Sequence, residues 1–265
     1  IDTDSDYYFG DKFASISKQD KSILGWYGLD VGKNILVNTI EDVSKQYGIP
    51  IPITWFIRCD YQVGKQNGNP AFLLKLYNDW WQKRYEKGDD IQWHAHLYRQ
   101  VEGIWKQETS KIQLRKDLEV SLDEFIKSGF NPSIIRIGES YHSNKLMKII
   151  SELGLNADSS AMPGRIRKDE EKVVDWLHTP NFPYHPSKKN YRISGEKNYD
   201  LWELPLNTVT TKVSYDKKPI LRYVNLSFQP GILDKGVLEF IKKNNILVSI
   251  THPFEIVDKF FSDSK

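Results

Sequence analysis

Asp89-Asp90-Ile91-Gln92-Trp93-His94-Ala95-His96 climbs from two charged residues into a short apolar strand and ends on two histidines. Alternate residues of a strand face the same side, so His94 and His96 can offer two nitrogens to one point in space. The start of the chain repeats the device with carboxylates, as Asp2-Thr3-Asp4. Such pairs, brought from distant parts of a chain to strand ends, are how a metal centre is assembled. Arg136 and His252 each close another predicted strand and complete a set that looks like a hydrolytic zinc centre.

Outward from that stretch the chain alternates strand and helix patterns. Short β-rich runs fall at Ile51 to Ile57, Asp90 to Trp93, Ile134 to Ile137, Leu155 to Asp158, Leu201 to Leu204 and Ile246 to Ile250, and the Ile1 segment makes seven. Leu114, Leu118, Leu122 and Phe125 form a helical stripe introduced by Thr109 or Ser110 and closed by Gly129. Leu146, Ile149, Ile150 and Leu153 form another, from Ser143 or Asn144 to Gly154. Helices are also expected over Lys33 to Tyr47, Ala71 to Lys87 and Asp234 to Asn244, with a short one after Phe254. This alternation predicts an α/β fold of parallel strands with helices outside, closed or nearly closed into a barrel, and active groups at the C-terminal strand ends. The stretch 161–198 is rich in Pro, Lys, Tyr and His, breaks the rhythm, and reads as an insertion over one side of the barrel mouth.

A chain of 265 residues with 39% hydrophobic content can bury a large core, and one domain over 1–265 is the expectation. The formal charge of +2, from 37 basic and 35 acidic residues, makes no electrostatic case for nucleic acid or an anionic membrane surface. One cysteine, Cys59, excludes an internal disulfide framework, and no apolar run has the length of a membrane span. No signal peptide is visible, which favours a cytoplasmic location, but the chain opens at Ile1 without methionine, so the cell envelope is the alternative if a leader has been removed.

Hydrolysis at a metal needs ligands that leave positions open, a base for the attacking water and an acid for the leaving group. Asp2 and Asp4 can divide base and ligand between them, since two carboxylates in different environments can hold different protonation states. Trp26, Trp93 and Trp202 read as sugar-stacking or core residues, and Trp80-Trp81 as helix packing. His142, His178 and His185 read as surface histidines, and Asp6 as part of an acidic turn.

The order of these motifs resembles the polysaccharide deacetylase family, metal-dependent carbohydrate esterases built on a distorted seven-stranded (β/α) barrel. Asp2-Thr3-Asp4 is similar to the family's first motif, Trp93-His94-Ala95-His96 to its second, and Arg136-Ile137-Gly138-Glu139-Ser140-Tyr141 to its third. Asp158-Ser159-Ser160, Glu203-Leu204-Pro205 and Thr251-His252-Pro253 match later elements, so the resemblance covers nearly the whole chain. It implies removal of an N- or O-linked acetyl group from a carbohydrate. Asp2 would be the base, His252 the acid and Arg136 the group that orients the base. Asp4, His94 and His96 would hold one divalent metal, zinc, with nickel or cobalt as substitutes. Tyr141, Asp158, Trp93 and Glu203 would serve the substrate, a backbone N–H near Tyr141 holding the oxyanion and Asp158 raising the pKa of His252.

The family's aspartates are adjacent and its histidines four apart, whereas here Thr3 intervenes and Tyr98 and Gln100 stand four beyond His94 and His96. A register with Asp4 as base and Asp6 as ligand therefore stays open, as does a catalytically inactive carbohydrate-binding relative. Amidohydrolase-type barrels also use a His-x-His pair, but on the first strand, where this chain has carboxylates.

Overall fold

The computed structural model describes residues 1–5, 25–169, 172–227 and 234–262. Helix α1 (Tyr27–Tyr47) leads to β1 (Thr54–Arg58), and α2 (Tyr61–Asn67), α3 (Phe72–Leu76) and α4 (Asn78–Glu86) lead on to β2 (Asp90–Ala95). A hairpin of β3 (Tyr98–Val101) and β4 (Ile104–Gln107) and helix α5 (Lys111–Lys127) precede β5 (Ile134–Ile137). Helix α6 (Asn144–Glu152) precedes β6 (Ala157–Asp158). A second hairpin, β7 (Ile166–Asp169) and β8 (Lys172–Asp175), lies within the stretch expected as an irregular insertion, and β9 (Trp202–Glu203) follows. A third, β10 (Thr208–Thr211) with β11 (Ile220–Tyr223), comes before α7 (Asp234–Ile241) and α8 (Pro253–Ser262).

Strands β1, β2, β5, β6 and β9 form one sheet in that order, every neighbour parallel. Helices α5 and α6 begin where their caps predict, with Ser110 Oγ accepting the Gln113 N–H and Ser143 Oγ the Leu146 N–H. They bury Leu114, Leu118 and Phe125, and Leu146, Ile149 and Ile150. The helix expected over Ala71 to Lys87 is instead broken at Tyr77, whose backbone lies at φ −114° and ψ 29°. There the buried Trp81 donates its indole N–H to the Leu73 carbonyl at 3.0 Å and meets Trp55 edge-on at 5.5 Å, so tertiary packing outweighs helical continuity. Helix α1 starts six residues before its expected Lys33 and packs on α8, where a Cβ at Gly32 would stand 2.2 Å from the Pro253 carbonyl oxygen.

Register decides which side chains can meet. Arg58, His94 and Arg136 are partners across β1, β2 and β5, so all three face one side of the sheet. One residue earlier, Ile57, Trp93 and Ile135 are partners, and the row continues to Asp158 on β6 and Glu203 on β9, on the opposite face.

Two of the seven expected runs stay outside the ladders of the described residues. The first segment joins through a parallel bridge between Asp2 and Phe56, and the last run through one between Ile250 and Asn225. In that last run the Asn207 side-chain oxygen accepts the Val248 N–H at 2.6 Å, taking the place of a strand partner. No helix among the described residues is long and apolar enough to cross a membrane.

Candidate metal centre

Asp4, His94 and His96 meet at the C-terminal ends of the strands, all buried. Nε2 of His94 lies 3.1 Å from Nε2 of His96 and 3.2 Å from Oδ1 of Asp4, and His96 Nε2 lies 2.8 Å from the same oxygen. His94 donates Nδ1–H to the Arg136 carbonyl at 2.8 Å, and since a carbonyl only accepts, its Nε2 is left bare toward the other two groups. Ligand atoms ~2.0 Å from one tetrahedral ion stand roughly 3.3 Å apart, close to the spacing found here. The donor set, two imidazoles and a carboxylate, therefore fits a divalent metal. Asp6, the ligand of the alternative register, lies outside the described residues.

Arg58 and Asp60 anchor this group from beneath. Arg58 is fully buried, donates Nε–H to Asp60 at 2.8 Å and Nη2–H to Gln62, and places Nη1 3.7 Å from Asp4. Asp60 accepts the His96 backbone N–H at 3.0 Å. Burial raises the Asp4 carboxyl, but the imidazoles of His96 and His94 outweigh it and hold it well below the ordinary carboxylate range. Burial and the Arg58 charge push the His96 pKa down, which favours the neutral ring that a metal requires.

The other carboxylate has different neighbours. Asp2 accepts Arg136 Nη1–H at 2.6 Å, and Arg136 is itself fixed by Nε–H to the Ser159 carbonyl and Nη2–H to Ser159 Oγ, both at 3.0 Å. Burial pushes Asp2 up, and Arg136 foremost, then His94, brings it below its ordinary value, so it stays ionised at neutral pH. On the opposite side His252 Nε2 lies 3.5 Å from Asp4 Oδ2, and its Nδ1 lies 3.1 Å from Glu255. Burial pulls the His252 pKa down, but the Glu255 hydrogen bond and the Asp4 charge reverse this and leave it raised. Asn225 and Ser227 also donate to Glu255.

Asp2, Asp4, His94, His96, Arg136 and His252 line one cavity of about 140 Å³. Its rim includes Glu139 and Ser140, both in the left-handed region at φ 55° and 56°, a conformation that costs roughly 1–3 kcal/mol for each such residue. Glu139 is held there by the Tyr98 hydroxyl and by Arg167 at 2.7 Å, and the Ser140 carbonyl by the Trp176 indole N–H at 2.8 Å. Gly138 lies against the ring of His96, and a Cβ there would stand 2.1 Å from its Cδ2.

The remaining site candidates lie elsewhere. Trp93 is fully buried, with its indole N–H donating to the Cys59 carbonyl at 2.7 Å. Asp158 and Glu203 share its face of the sheet, and Asp158 lies 2.8 Å from His142 Nε2 rather than beside His252. His142 is thus buried and not on the surface. The Tyr141 N–H turns back on the Gly138 carbonyl at 3.3 Å. Trp202 is 45% exposed, and its ring meets His185 at 3.9 Å. Arg58, Asp60, Glu139 and Glu255 were not singled out from sequence. Glu255 alone had a readable signal, three residues beyond His252 at the start of a helix.

No protein-family model matches the chain, and no curated protein matches it. A solved structure of a chain provisionally assigned as a polysaccharide deacetylase, from Mycobacterium smegmatis, is similar over 96% of this chain and 77% of that one, at 14% identity and a TM-score of 0.48.

Proposed function

We propose that this protein is a metal-dependent hydrolase that removes an N- or O-linked acetyl group from a carbohydrate. One observation carries the reading: the Asp4, His94 and His96 ligand atoms converge in a single cavity, with a separately held carboxylate on one side and a separately held imidazole on the other.

Held by Asp4, His94 and His96, a divalent ion such as zinc would polarise the acetyl carbonyl and lower the pKa of water. Asp2, ionised and aimed by Arg136, takes a proton from the attacking water. Oxygen adds to the carbonyl carbon, the bond from that carbon to the sugar nitrogen or oxygen breaks, and acetate leaves. His252, whose protonated form Glu255 favours, delivers the proton from Nε2 to the departing amine or alcohol. Trp93, Asp158 and Glu203 are assigned to supporting the sheet behind the site, because register turns them away from His94 and Arg136.

The reading extends to the fold. Asp2 N–H donates to the Thr251 carbonyl at 3.1 Å and Asn207 N–H to the Val248 carbonyl at 2.9 Å, contacts that support a distorted seven-stranded (β/α) barrel in a single domain. Acetate release from acetylated saccharides by zinc-loaded protein tests the function. His252→Ala should lower turnover by roughly 10²- to 10⁴-fold with zinc retained. Unchanged turnover in that variant, or no acetate from any acetylated saccharide, removes the reading.

A further inference from the structure

Beside the metal-capable cavity lies a larger one, of about 450 Å³, within the ~300–1,000 Å³ range of small-ligand sites. Met162, Arg165 and Tyr223 line both, so a molecule with its acetyl group over Asp4 and the histidines has its next part in the larger space. That space has a one-sided chemistry. Its described wall contains Arg165 and Arg222 and no aspartate or glutamate.

The other polar groups there are already engaged. Arg222 is tied to Asp216 at 2.9 Å, Thr208 Oγ donates to the Pro163 carbonyl at 3.1 Å, and the Asn225 amide donates to Glu255 at 3.0 Å. Arg167, which lines the metal-capable cavity alone, is paired with Glu139. Arg165 differs: its guanidinium touches Met162 Sδ at 3.1 Å and faces the Tyr223 ring at 5.6 Å, and it makes no ion pair among the described residues. An exposed arginine held over an aromatic ring, at the junction of two cavities, is a ready contact for an anionic oxygen group.

We propose that the larger cavity is a subsite for a negatively charged substituent of the substrate, with Arg165 as the residue that selects an acidic saccharide over a neutral one. The assignment of the saccharide rests on the deacetylase reading; the anion contact rests on the cavity alone. A carboxylate, as on a uronic acid, and a phosphate ester share the required chemistry.

Three matched acetylated saccharides, one neutral, one with a carboxylate and one with a phosphate, separate these sources. Each is titrated calorimetrically into zinc-loaded wild type and Arg165→Gln, and acetate release is followed in parallel. Wild type should bind a charged member more tightly than the neutral one. Arg165→Gln should raise its Kd and KM by roughly 10- to 100-fold with kcat little changed, leave the neutral member unaffected, and be partly rescued by Arg165→Lys. The member with the larger loss identifies the anion. Equal binding of charged and neutral members by wild type, or an equal loss of both in Arg165→Gln, overturns the proposal. Charge-selective, Arg165-dependent binding without acetate release keeps the subsite and removes the deacetylase, whereas acetate release with no charge preference does the reverse.

Discussion

Oε2 of Glu255 lies 3.1 Å from Nδ1 of His252 and also accepts the His252 backbone N–H at 3.0 Å. One carboxylate oxygen on the first turn of α8 thus fixes both the position of this histidine and the charge opposite its ring.

Glu255→Gln should keep the backbone contact and lose the charge. Without it the His252 pKa falls, so the alkaline limb of the activity profile moves to lower pH and turnover drops by roughly 10- to 100-fold with metal retained. Burial raises the Glu255 carboxyl, but the His252 hydrogen bond and charge prevail and bring it from 4.5 to about 2. Its contribution to stability is therefore present above 4.5 and is lost as pH falls toward 2, so the variant should lose less stability over that window in urea titrations.

Metal content separates the carboxylates. Asp2→Asn should retain zinc and lose activity by roughly 10²- to 10⁴-fold, while Asp4→Asn, His94→Ala and His96→Ala lose stoichiometric zinc by elemental analysis. Zinc lost in Asp6→Asn but kept in Asp4→Asn would establish the alternative register.

Gly138→Ala tests the close approach to His96. The added methyl has no room beside the ring, so His96 must turn away from Asp4. Zinc affinity should fall by roughly 10- to 100-fold with little change in the far-ultraviolet circular dichroism spectrum.

Glu203 offers a second pH signature, remote from the metal. Burial, then the Asp158 charge, pushes its pKa well above 4.5. The protein should be most stable with Glu203 protonated and lose that part of its stability as pH rises above 4.5 toward the folded-state pKa. Glu203→Gln should flatten this part of the profile, and an unchanged slope in chemical denaturation would place Glu203 in a more solvated setting.

The histidine pair was legible because alternation along one strand is a local property, and His94 and His96 needed no partner strand to share a face. The caps Ser110 and Ser143 are local in the same sense and mark their helices correctly. What sequence could not supply was register. Trp93, Asp158 and Glu203 also sit near strand ends, but a one-residue offset puts them on the opposite face from His94 and Arg136, and only the pairing of β2, β5, β6 and β9 fixes that offset. The tie from Arg167 to Glu139 was hidden for a related reason, since it depends on how a hairpin folds over a strand end.

Glu139 is a clasp, receiving Tyr98 from one hairpin and Arg167 from another. The two hairpins reach the cavity as attachments, while the groups assigned to the reaction sit on the sheet and in the segments that border it. The molecule is therefore divided into a fixed engine block and an exchangeable faceplate. Exchanging the loop and hairpin 163–175, which carries both Arg165 and Arg167 and leaves Trp176 on the Ser140 carbonyl, should change which saccharides are accepted and leave the reacting groups untouched, provided the incoming segment keeps an arginine for Glu139 to grip.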